Sequence, residues 1–273
     1  MAIKIIAEIG INHNGDLNIV KSLIDIAVVS GCDYVKFQKR TPDLCVPEEQ
    51  KNKPKETPWG RMTYLEYKHK IEFGYDEYSD IRHYCRLKNI ELFASVWDIP
   101  SADFMYAFST IAKIPSALIT DLDLCKYARD KFEILMISTG MSTEEEIEKC
   151  VEACNPDVIF HTNSTYPCPE NELNLNYIKH LKNKYPHAAI GYSGHEFGLI
   201  TTMATVPMGV TYIERHVTLD RTMWGSDQMA SVEPSGVFKL VRGIRNIEKA
   251  MGTSSDRVPY PGELKKRKIL RGD

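Results

Sequence analysis

A short stretch near residue 215 combines the pattern of a buried strand with several ionisable side chains. Residues 212–217 read YIERHV, so three of the six side chains can carry a charge. An unpaired charge inside a protein is costly to desolvate, and buried strands normally avoid it. The loop that follows adds polar and aromatic side chains: Asp220, Arg221, Trp224, Asp227 and Gln228. We therefore interpret this stretch as part of a functional site.

Two histidines, His195 and His216, stand at the predicted ends of neighbouring strands. Neutral imidazoles on adjacent strands suit a divalent transition metal, with a carboxylate or water completing the shell. Alternatively, one histidine is a general base and the other an ordinary strand-end residue. His13 is a third candidate, although its NHNG sequence is equally typical of a polar turn. Glu214 and Arg215 are expected to face away from His216 as a supporting pair.

Two lysines and four serines are also predicted at strand ends. Lys36 and Gln38 are two residues apart, so their side chains point to the same face of a strand. Lys113 ends another predicted strand, and two cations surrounded by hydroxyls suit a phosphate dianion. A single serine at such a position is weak evidence, and a phosphate site is expected only if all strands meet at one mouth. The serines are Ser95, Ser116, Ser138 and Ser193.

The strands that would bring these side chains together recur along the chain. Eight short apolar runs alternate with segments of helical periodicity, at 3–9, 34–38, 91–96, 111–115, 134–138, 158–162, 188–192 and 211–217. Eight βα units in 273 residues predict an α/β fold with a single domain, a (β/α)8 TIM barrel. A doubly wound open sheet is the alternative, but no GxGxxG motif follows the first run.

The barrel is predicted to span residues 1–252, and residues 253–273 are predicted to be a basic C-terminal tail or linker remnant. A long connection at 39–73 separates the second strand from its helix and contains Trp59, Tyr64 and Tyr67. Connections of this length are usually lids, binding loops or disordered segments. Because this one follows a barrel strand, we expect it at the catalytic face.

Composition narrows the classes of function. The chain is 43% hydrophobic and 26% charged with a formal net charge of -3. These values are ordinary for a globular protein and predict neither a nucleic-acid nor a membrane partner. Seven cysteines without a CxxC spacing suit a reducing compartment, and the N-terminus lacks the pattern of a signal peptide. We expect a cytoplasmic protein.

The predicted strand ends fall in blocks that resemble the sialic acid synthase family, also called N-acetylneuraminate synthases. The blocks are AEIGINHNGD (7–16), VKFQ (35–38), KIPS (113–116), STGMST (138–143), STYPCP (164–169), GYSGHE (191–196) and ERHVTLDRTMWGSDQ (214–228). The resemblance implies a (β/α)8 barrel. It also implies a transferase that condenses phosphoenolpyruvate with an N-acyl hexosamine, a ManNAc-like aldose. The products would be phosphate and a nonulosonic acid of sialic or legionaminic type.

The resemblance also implies roles for individual residues. His195 and His216 would bind a divalent metal, manganese in most of the family, with magnesium or cobalt as alternatives. Glu8, Asp227 and the two histidines would form the catalytic set, and the choice between Glu8 and Asp227 as acid or base stays open. The phosphoenolpyruvate ligands would be Lys36, Ser95, Lys113, Ser116, Ser138 and Ser193. The sugar-binding residues would be Gln38, Tyr166 and Asp227. The family's usual state is a homodimer.

Two departures from the family pattern matter. Leu118 stands where much of the family has an acidic residue, so one sugar contact is expected to differ. The family's C-terminal domain resembles antifreeze proteins and gives an arginine to the sugar in the partner's barrel, but this sequence stops at Asp273. We expect either compensation by segment 39–73 or the basic tail, or a truncated or separately encoded barrel. The alternative functions are a catalytically impaired binding or regulatory subunit and a metal-dependent aldolase on the same fold.

Overall fold

A computed structural model describes residues 2–253 and 256–272 of the chain. The strands in this part are β1 (Lys4–Gly10), β2 (Tyr34–Lys39), β3 (Pro54–Thr57), β4 (Gly60–Thr63), β5 (Glu91–Val96), β6 (Ile111–Ile114), β7 (Ile134–Ser138), β8 (Val158–Thr162), β9 (Ala189–Gly194) and β10 (Tyr212–His216). Eight of these described strands close into a parallel barrel in the order β1-β10-β9-β8-β7-β6-β5-β2. The predicted (β/α)8 barrel is confirmed.

The helices follow the strands in chain order. They are α1 (Leu17–Ser30), α2 (Pro42–Cys45), α3 (Glu48–Lys51), α4 (Tyr64–Ile71), α5 (Tyr75–Lys88), α6 (Ile99–Tyr106), α7 (Leu122–Lys131), α8 (Glu144–Cys154), α9 (Tyr177–Lys184), α10 (Ile200–Ala204), α11 (Pro234–Met251) and α12 (Pro261–Arg271). Helix α1 shows why these segments form helices. Asp16 accepts a hydrogen bond from the amide of Asn18 at its start, and Gly31 ends it in the left-handed conformation. Its apolar residues fall on one face, which packs on the barrel.

An apolar layer fills the barrel interior beneath the mouth. Its members come from successive strands: Ile6, Tyr34, Phe93, Ile111, Met136, Val158 and Phe160. Side chains alternate along a strand, so the residue two positions further on also points into the barrel, but nearer the C-terminal mouth. Lys36 follows Tyr34 in this way, and Lys113 follows Ile111. The polar side chains of the mouth therefore rest on an apolar floor.

Segment 39–73 is folded and lies against the loop that follows β10. It contains α2, α3, α4 and an antiparallel hairpin formed by β3 and β4. The ring of Tyr67 lies 5.1 Å from that of Trp224, and Trp59 at the hairpin turn lies 5.8 Å from the same ring. Ile71 packs beside Tyr67 in this cluster. The long connection thus packs at the C-terminal mouth.

The C-terminal region carries one further element. Residues 256–272 include α12, whose side chains are exposed. The preceding helix, α11, ends at Met251, and the proposed boundary at residue 252 stays a prediction. Among the residues that the structure describes, no helix has both the length and the apolar character needed to span a membrane.

Candidate active site

A cavity of about 220 Å³ opens at the C-terminal mouth of the barrel. Eleven of the twelve predicted site residues line it: Glu8, Lys36, Gln38, Ser95, Lys113, Ser116, Ser138, Tyr166, Ser193, His195 and His216. Asp227 lies beside the cavity. Sequence reasoning did not place Glu214 and Ser164 in the site, although both line the cavity. The geometry brings the predicted residues together, while their individual roles stay predictions.

Glu214 joins the two lysines at the bottom of the cavity. Its Oε1 accepts hydrogen bonds from Lys113 Nζ at 2.9 Å and from Ser193 Oγ at 3.1 Å, and it lies 3.6 Å from Lys36 Nζ. Burial by itself would raise the pKa of Glu214, but the two lysines outweigh this effect and lower the pKa to about 2. Glu214 is therefore an anion that balances the lysine charges.

The prediction that Glu214 faces away from the site is wrong. Glu214 precedes His216 by two residues, so strand alternation places both side chains in the barrel interior. Arg215 does face outward, and its guanidinium lies 3.3 Å from Glu196 Oε1. The predicted pair of Glu214 with Arg215 is therefore replaced by two separate ion-pair networks on opposite faces of β10. The spacing to His216 was the signal that locates Glu214.

Glu8 lies beside Lys36 on the neighbouring strand. Lys36 Nζ is 2.9 Å from Glu8 Oε2 and donates to Ser95 Oγ at 2.9 Å. Burial lowers the pKa of Lys36, but Glu214 and Glu8 outweigh it and raise the pKa above its ordinary value. Burial raises the pKa of Glu8 even though Lys36 opposes the shift. Glu8 is thus the carboxyl group of the cavity that most readily holds a proton.

A turn at the end of β1 helps to position Glu8. The pairing register of β1 with β2 shifts between Glu8 and Gly10, and Gly10 has a φ of 55°. A Cβ at Gly10 would lie 3.1 Å from Glu8 Oε1 and 3.2 Å from Gln38 Nε2. Glycine therefore suits both the backbone conformation and the close approach. Gln38 Nε2 in turn donates to Glu8 Oε1 at 3.3 Å.

Lys113 loses its proton more readily than Lys36 does. Burial lowers the pKa of Lys113 to about 8. The charge of Glu214 opposes this shift, and the charge of Lys36 adds to it. Lys113 Nζ lies 4.0 Å from the centre of the Phe160 ring in the apolar floor. The lysines are balanced here by two glutamates. A phosphate dianion would relieve the desolvation of these cations and compete with Glu214 for them.

Serine hydroxyl groups line the cavity close to the two lysines and Glu214. Ser116 Oγ accepts a hydrogen bond from the backbone N–H of Gly140 at 3.1 Å. Ser95 contacts Lys36, Ser193 contacts Glu214, and Ser138 lines the same cavity. Hydroxyls and amides of this kind can donate to phosphate oxygens without adding charge.

The two histidines lie next to each other in the wall of the cavity. Their ring centres are 5.4 Å apart, and His195 Nδ1 lies 2.6 Å from the carbonyl oxygen of Asn163. A proton on that nitrogen leaves Nε2 as a free acceptor. Burial and then His216 lower the pKa of His195 to about 3, so its imidazole is neutral. His216 Nδ1 is buried without a hydrogen-bond partner, although Asp227 Oδ2 lies 3.9 Å away.

This donor set fits a divalent transition metal. Neutral imidazoles, an unpaired ring nitrogen and nearby carboxylates are the ligands that such ions prefer. Within the described ranges, no three His, Cys, Asp or Glu side chains stand close enough to hold an ion by themselves. The remaining positions would therefore go to water or substrate oxygens.

Three other side chains also bear on the predictions. Asp227 accepts a hydrogen bond from Ser226 Oγ at 2.6 Å, and its carboxylate is 16% exposed. His13 stacks on Phe73 with ring centres 4.4 Å apart and belongs to the polar turn after β1. Leu118 packs against the apolar core, so it supplies no polar sugar contact.

Comparisons with known proteins agree with this geometry. The NeuB family profile matches residues 23–256. Human N-acetylneuraminate-9-phosphate synthase is 34% identical over 91% of this chain and 71% of its own length. Campylobacter jejuni N,N'-diacetyllegionaminic acid synthase is 35% identical over 91% of this chain and 77% of its own. The crystal structure of sialic acid synthetase from Leptospira borgpetersenii in complex with citrate has a TM-score of 0.86 and 31% identity, covering 100% of this chain and 94% of that one. This chain therefore belongs to the NeuB family, the sialic acid synthase family that its motifs predict.

Proposed function

We propose that the protein condenses phosphoenolpyruvate with an N-acyl hexosamine to form a nonulosonic acid, with release of phosphate. Family membership makes it a synthase, and relatives named for sialic and legionaminic acids support this reaction class. One observation carries the proposal for this chain. Lys36 and Lys113 are buried at the barrel mouth below two neighbouring imidazoles. Two buried lysine cations beneath a set of candidate metal ligands suit a reaction in which phosphate leaves and a carbonyl carbon is attacked by another carbon.

The lysines and hydroxyls bind the phosphate group in this proposal. The enol carbon of phosphoenolpyruvate attacks the aldehyde carbon of the open-chain sugar and forms the new C–C bond. Water adds to the adjacent carbon, and the C–O bond to phosphate breaks, so that phosphate leaves with its bridging oxygen. Lys36 and Lys113 neutralise the charge on the departing phosphate. The four serines hold its orientation.

Glu8 is the proposed proton carrier. Burial raises the pKa of Glu8 and so favours the protonated carboxyl group, which suits a residue that gives and takes a proton during the reaction. Lys36 contacts Oε2, whereas Oε1 accepts only the longer bond from Gln38. We therefore assign the proton to Oε1. Asp227, together with Gln38 and Tyr166, is assigned to the sugar.

His195 and His216 are the proposed ligands of a divalent cation, manganese in the first place and magnesium or cobalt as alternatives. When bound, such an ion polarises the aldehyde oxygen of the sugar. The hydrogen bond of His195 to the Asn163 carbonyl fixes the ring so that its other nitrogen points at the mouth. The ring of Tyr166, 4.0 Å from that of His195, would shield this side from solvent.

The cellular setting is a further part of the proposal. The seven cysteines are free thiols, which suits a reducing compartment such as the cytoplasm. The homodimer stays a prediction from the family, as does the cytoplasmic location.

A panel assay tests the proposed reaction. The protein is incubated with manganese, phosphoenolpyruvate and a series of N-acyl hexosamines, and inorganic phosphate is measured. We expect phosphate release that depends on both the sugar and the metal. A folded, metal-loaded sample that releases no phosphate with any sugar contradicts the proposal. Turnover of a sugar without phosphoenolpyruvate would favour the aldolase alternative.

A further inference from the structure

The two candidate metal ligands each have a charged neighbour in the sequence, and these neighbours meet on the outer side of the barrel wall. Glu196 follows His195, and Arg215 precedes His216. The imidazoles line the cavity, whereas the two neighbours point outward and contact helix α10. Arg215 Nη1 lies 3.3 Å from Glu196 Oε1, and the two residues are 4% and 0% exposed. One buried ion pair thus joins the two segments that carry the histidines.

Arg215 holds the segment of His195 where the sheet no longer does. In the described part of the chain, the pairing of β10 with β9 ends at Arg215 and Gly194, one residue before His195. Just beyond that point, Arg215 Nη2 donates to the backbone carbonyl of Glu196 at 2.6 Å. Its Nη1 donates to the carbonyl of Gly198 at 3.0 Å. The guanidinium therefore replaces backbone pairing between β10 and the chain around His195.

The carboxylate of Glu196 is fixed by several donors. Its Oε1 accepts hydrogen bonds from Thr202 Oγ1 at 2.6 Å and from Thr201 Oγ1 at 3.0 Å, and its Oε2 accepts one from Tyr192 at 3.0 Å. Thr202 Oγ1 also accepts a hydrogen bond from Arg215 Nη1 at 2.7 Å, so it lies between the two charges. A buried carboxylate with this many partners restrains the backbone around it.

Gly194 leaves room for this carboxylate. A Cβ at this position would overlap Glu196 Oε2 and lie 2.7 Å from Tyr192 Cε1. Any larger residue would therefore push Glu196 away from Tyr192. The backbone next to His195 is thus shaped to accept the side chain of Glu196 on its outer side.

A metal site needs the two histidines at a fixed separation. The ring centres of His195 and His216 are 5.4 Å apart. Each nitrogen ligand lies about 2.1 Å from its ion, so a shift of about 1 Å at either strand end would remove one bond. The amide of Cys168 donates to the His195 carbonyl at 3.0 Å from one side, and Arg215 holds the same segment from the other.

We propose that Arg215 and Glu196 are positioning residues for the metal site, and that their ion pair sets the separation of His195 and His216 from outside the barrel. This inference rests on the two histidines being the metal ligands of the proposed function. The pair itself touches neither the cavity nor a substrate. Its loss is therefore expected to weaken metal binding and to spare the phosphoenolpyruvate site, whose lysines lie on β2 and β6.

Manganese titrations followed by EPR of the free ion test the proposal. Arg215→Lys keeps the charge but loses the planar fork that reaches two carbonyl oxygens. We expect it to bind manganese about ten- to a hundredfold more weakly than the wild type. Thr202→Val is the milder variant, since it removes only the hydroxyl that both charges share. We expect a loss of about three- to tenfold, and this variant decides the matter if Arg215→Lys does not fold.

Arg245→Lys is the matched control. Arg245 also joins a carboxylate to a backbone carbonyl, those of Asp33 and Ile3, but at the opposite end of the barrel. Its substitution is expected to lower stability in urea and to leave manganese affinity unchanged. Calorimetry without metal should show phosphoenolpyruvate affinity within about twofold of the wild type in Arg215→Lys and Thr202→Val.

Three results would overturn the positioning role. They are an unchanged manganese affinity in both test variants, an equal loss of manganese affinity in Arg245→Lys, and an equal loss of phosphoenolpyruvate and manganese affinity in the test variants. Ring ¹⁵N NMR of the metal-free protein gives a readout that needs no ion. The signals of His195 and His216 should move in Thr202→Val while that of His161 stays, and unmoved signals also overturn the proposal. A wild type that binds no manganese contradicts the proposed metal site instead.

Discussion

Glu214 Oε1 on β10 lies 2.9 Å from Lys113 Nζ on β6, the strand directly opposite in the closed barrel. The same oxygen is 3.6 Å from Lys36 Nζ. One carboxylate therefore contacts both lysines, and it does so across the full width of the mouth. In the proposed reaction, the phosphate group would compete with Glu214 for the two lysines.

Glu214→Gln should destabilise the protein, because it leaves two buried lysines with one carboxylate fewer. Removing one partner of a buried ion pair costs about 3–5 kcal/mol, and we expect the free energy of unfolding in urea to fall by that amount. Glu145→Gln serves as the control. Glu145 pairs with Lys149 on the exposed face of α8 at 2.7 Å, and its loss should leave the free energy of unfolding nearly unchanged. Similar losses in the two variants would contradict the role given to Glu214.

Affinity for phosphoenolpyruvate should fall as pH rises above 8. The pKa of Lys113 is about 8, so this lysine is charged at pH 7 and loses its proton at higher pH. A bound phosphate favours the charged form, so the affinity should decrease by up to about tenfold per pH unit beyond that point. Calorimetry between pH 7 and pH 10 measures the effect. In Lys113→Met the profile should be flat, because the raised pKa of Lys36 keeps that lysine charged. An equally steep profile in this variant would exclude Lys113 as the titrating group.

His216→Ala should abolish both stoichiometric manganese binding and turnover. His216 Nδ1 is buried without a partner beside His195, which is the arrangement expected of a metal ligand. His161→Gln is the matched control, since His161 is also a buried histidine but its Nε2 lies 2.7 Å from the Leu173 carbonyl. Metal content after dialysis and phosphate release should be unchanged in the control. Full manganese occupancy in His216→Ala would remove this residue from the ligand set.

Gly140→Ala should weaken phosphoenolpyruvate binding with little change in stability. The new Cβ would overlap Ser164 Oγ and lie 2.9 Å from Ser116 Oγ, so both hydroxyls must turn away. We expect KM for phosphoenolpyruvate to rise about tenfold, the equivalent of one charge-assisted hydrogen bond. Adding Ser164→Gly removes the severest overlap and should restore part of the affinity. Gly262→Ala, where a Cβ meets no neighbouring atom, is the neutral control. An unchanged KM in Gly140→Ala would argue against these hydroxyls as phosphate ligands.

The sequence predicts the barrel because each strand carries its own signal. Apolar residues such as Tyr34 and Ile111 form the floor, and the residue two positions later is polar and forms the mouth. The predicted bounds of the eight barrel strands therefore agree with those of the structure to within two residues. The same alternation brings the lysines, serines and histidines to one cavity. Family membership follows from motifs at these positions.

Other features depend on contacts that a linear pattern does not contain. Glu214 meets Lys113 only because the barrel closes, and the sequence alone leaves its partner open. Arg40 and Lys68 lie on a polar segment, where such residues are normally solvated, and only the folding of segment 39–73 buries them. Asp227 lies beside the cavity, on a loop whose Trp224 packs against Tyr67 of segment 39–73. Long-range packing decided each of these positions.

Phosphoenolpyruvate labelled with ¹⁸O at the bridging oxygen tests the central claim most directly. The protein is supplied with manganese, labelled phosphoenolpyruvate and N-acetylmannosamine or its 6-phosphate, and the released phosphate is examined by ³¹P NMR. We predict that phosphate appears only with a sugar present, in equal amount to the nonulosonic acid, and that it carries the label. Phosphate without the label, or a nonulosonic acid formed without any phosphate, would contradict condensation at this barrel mouth.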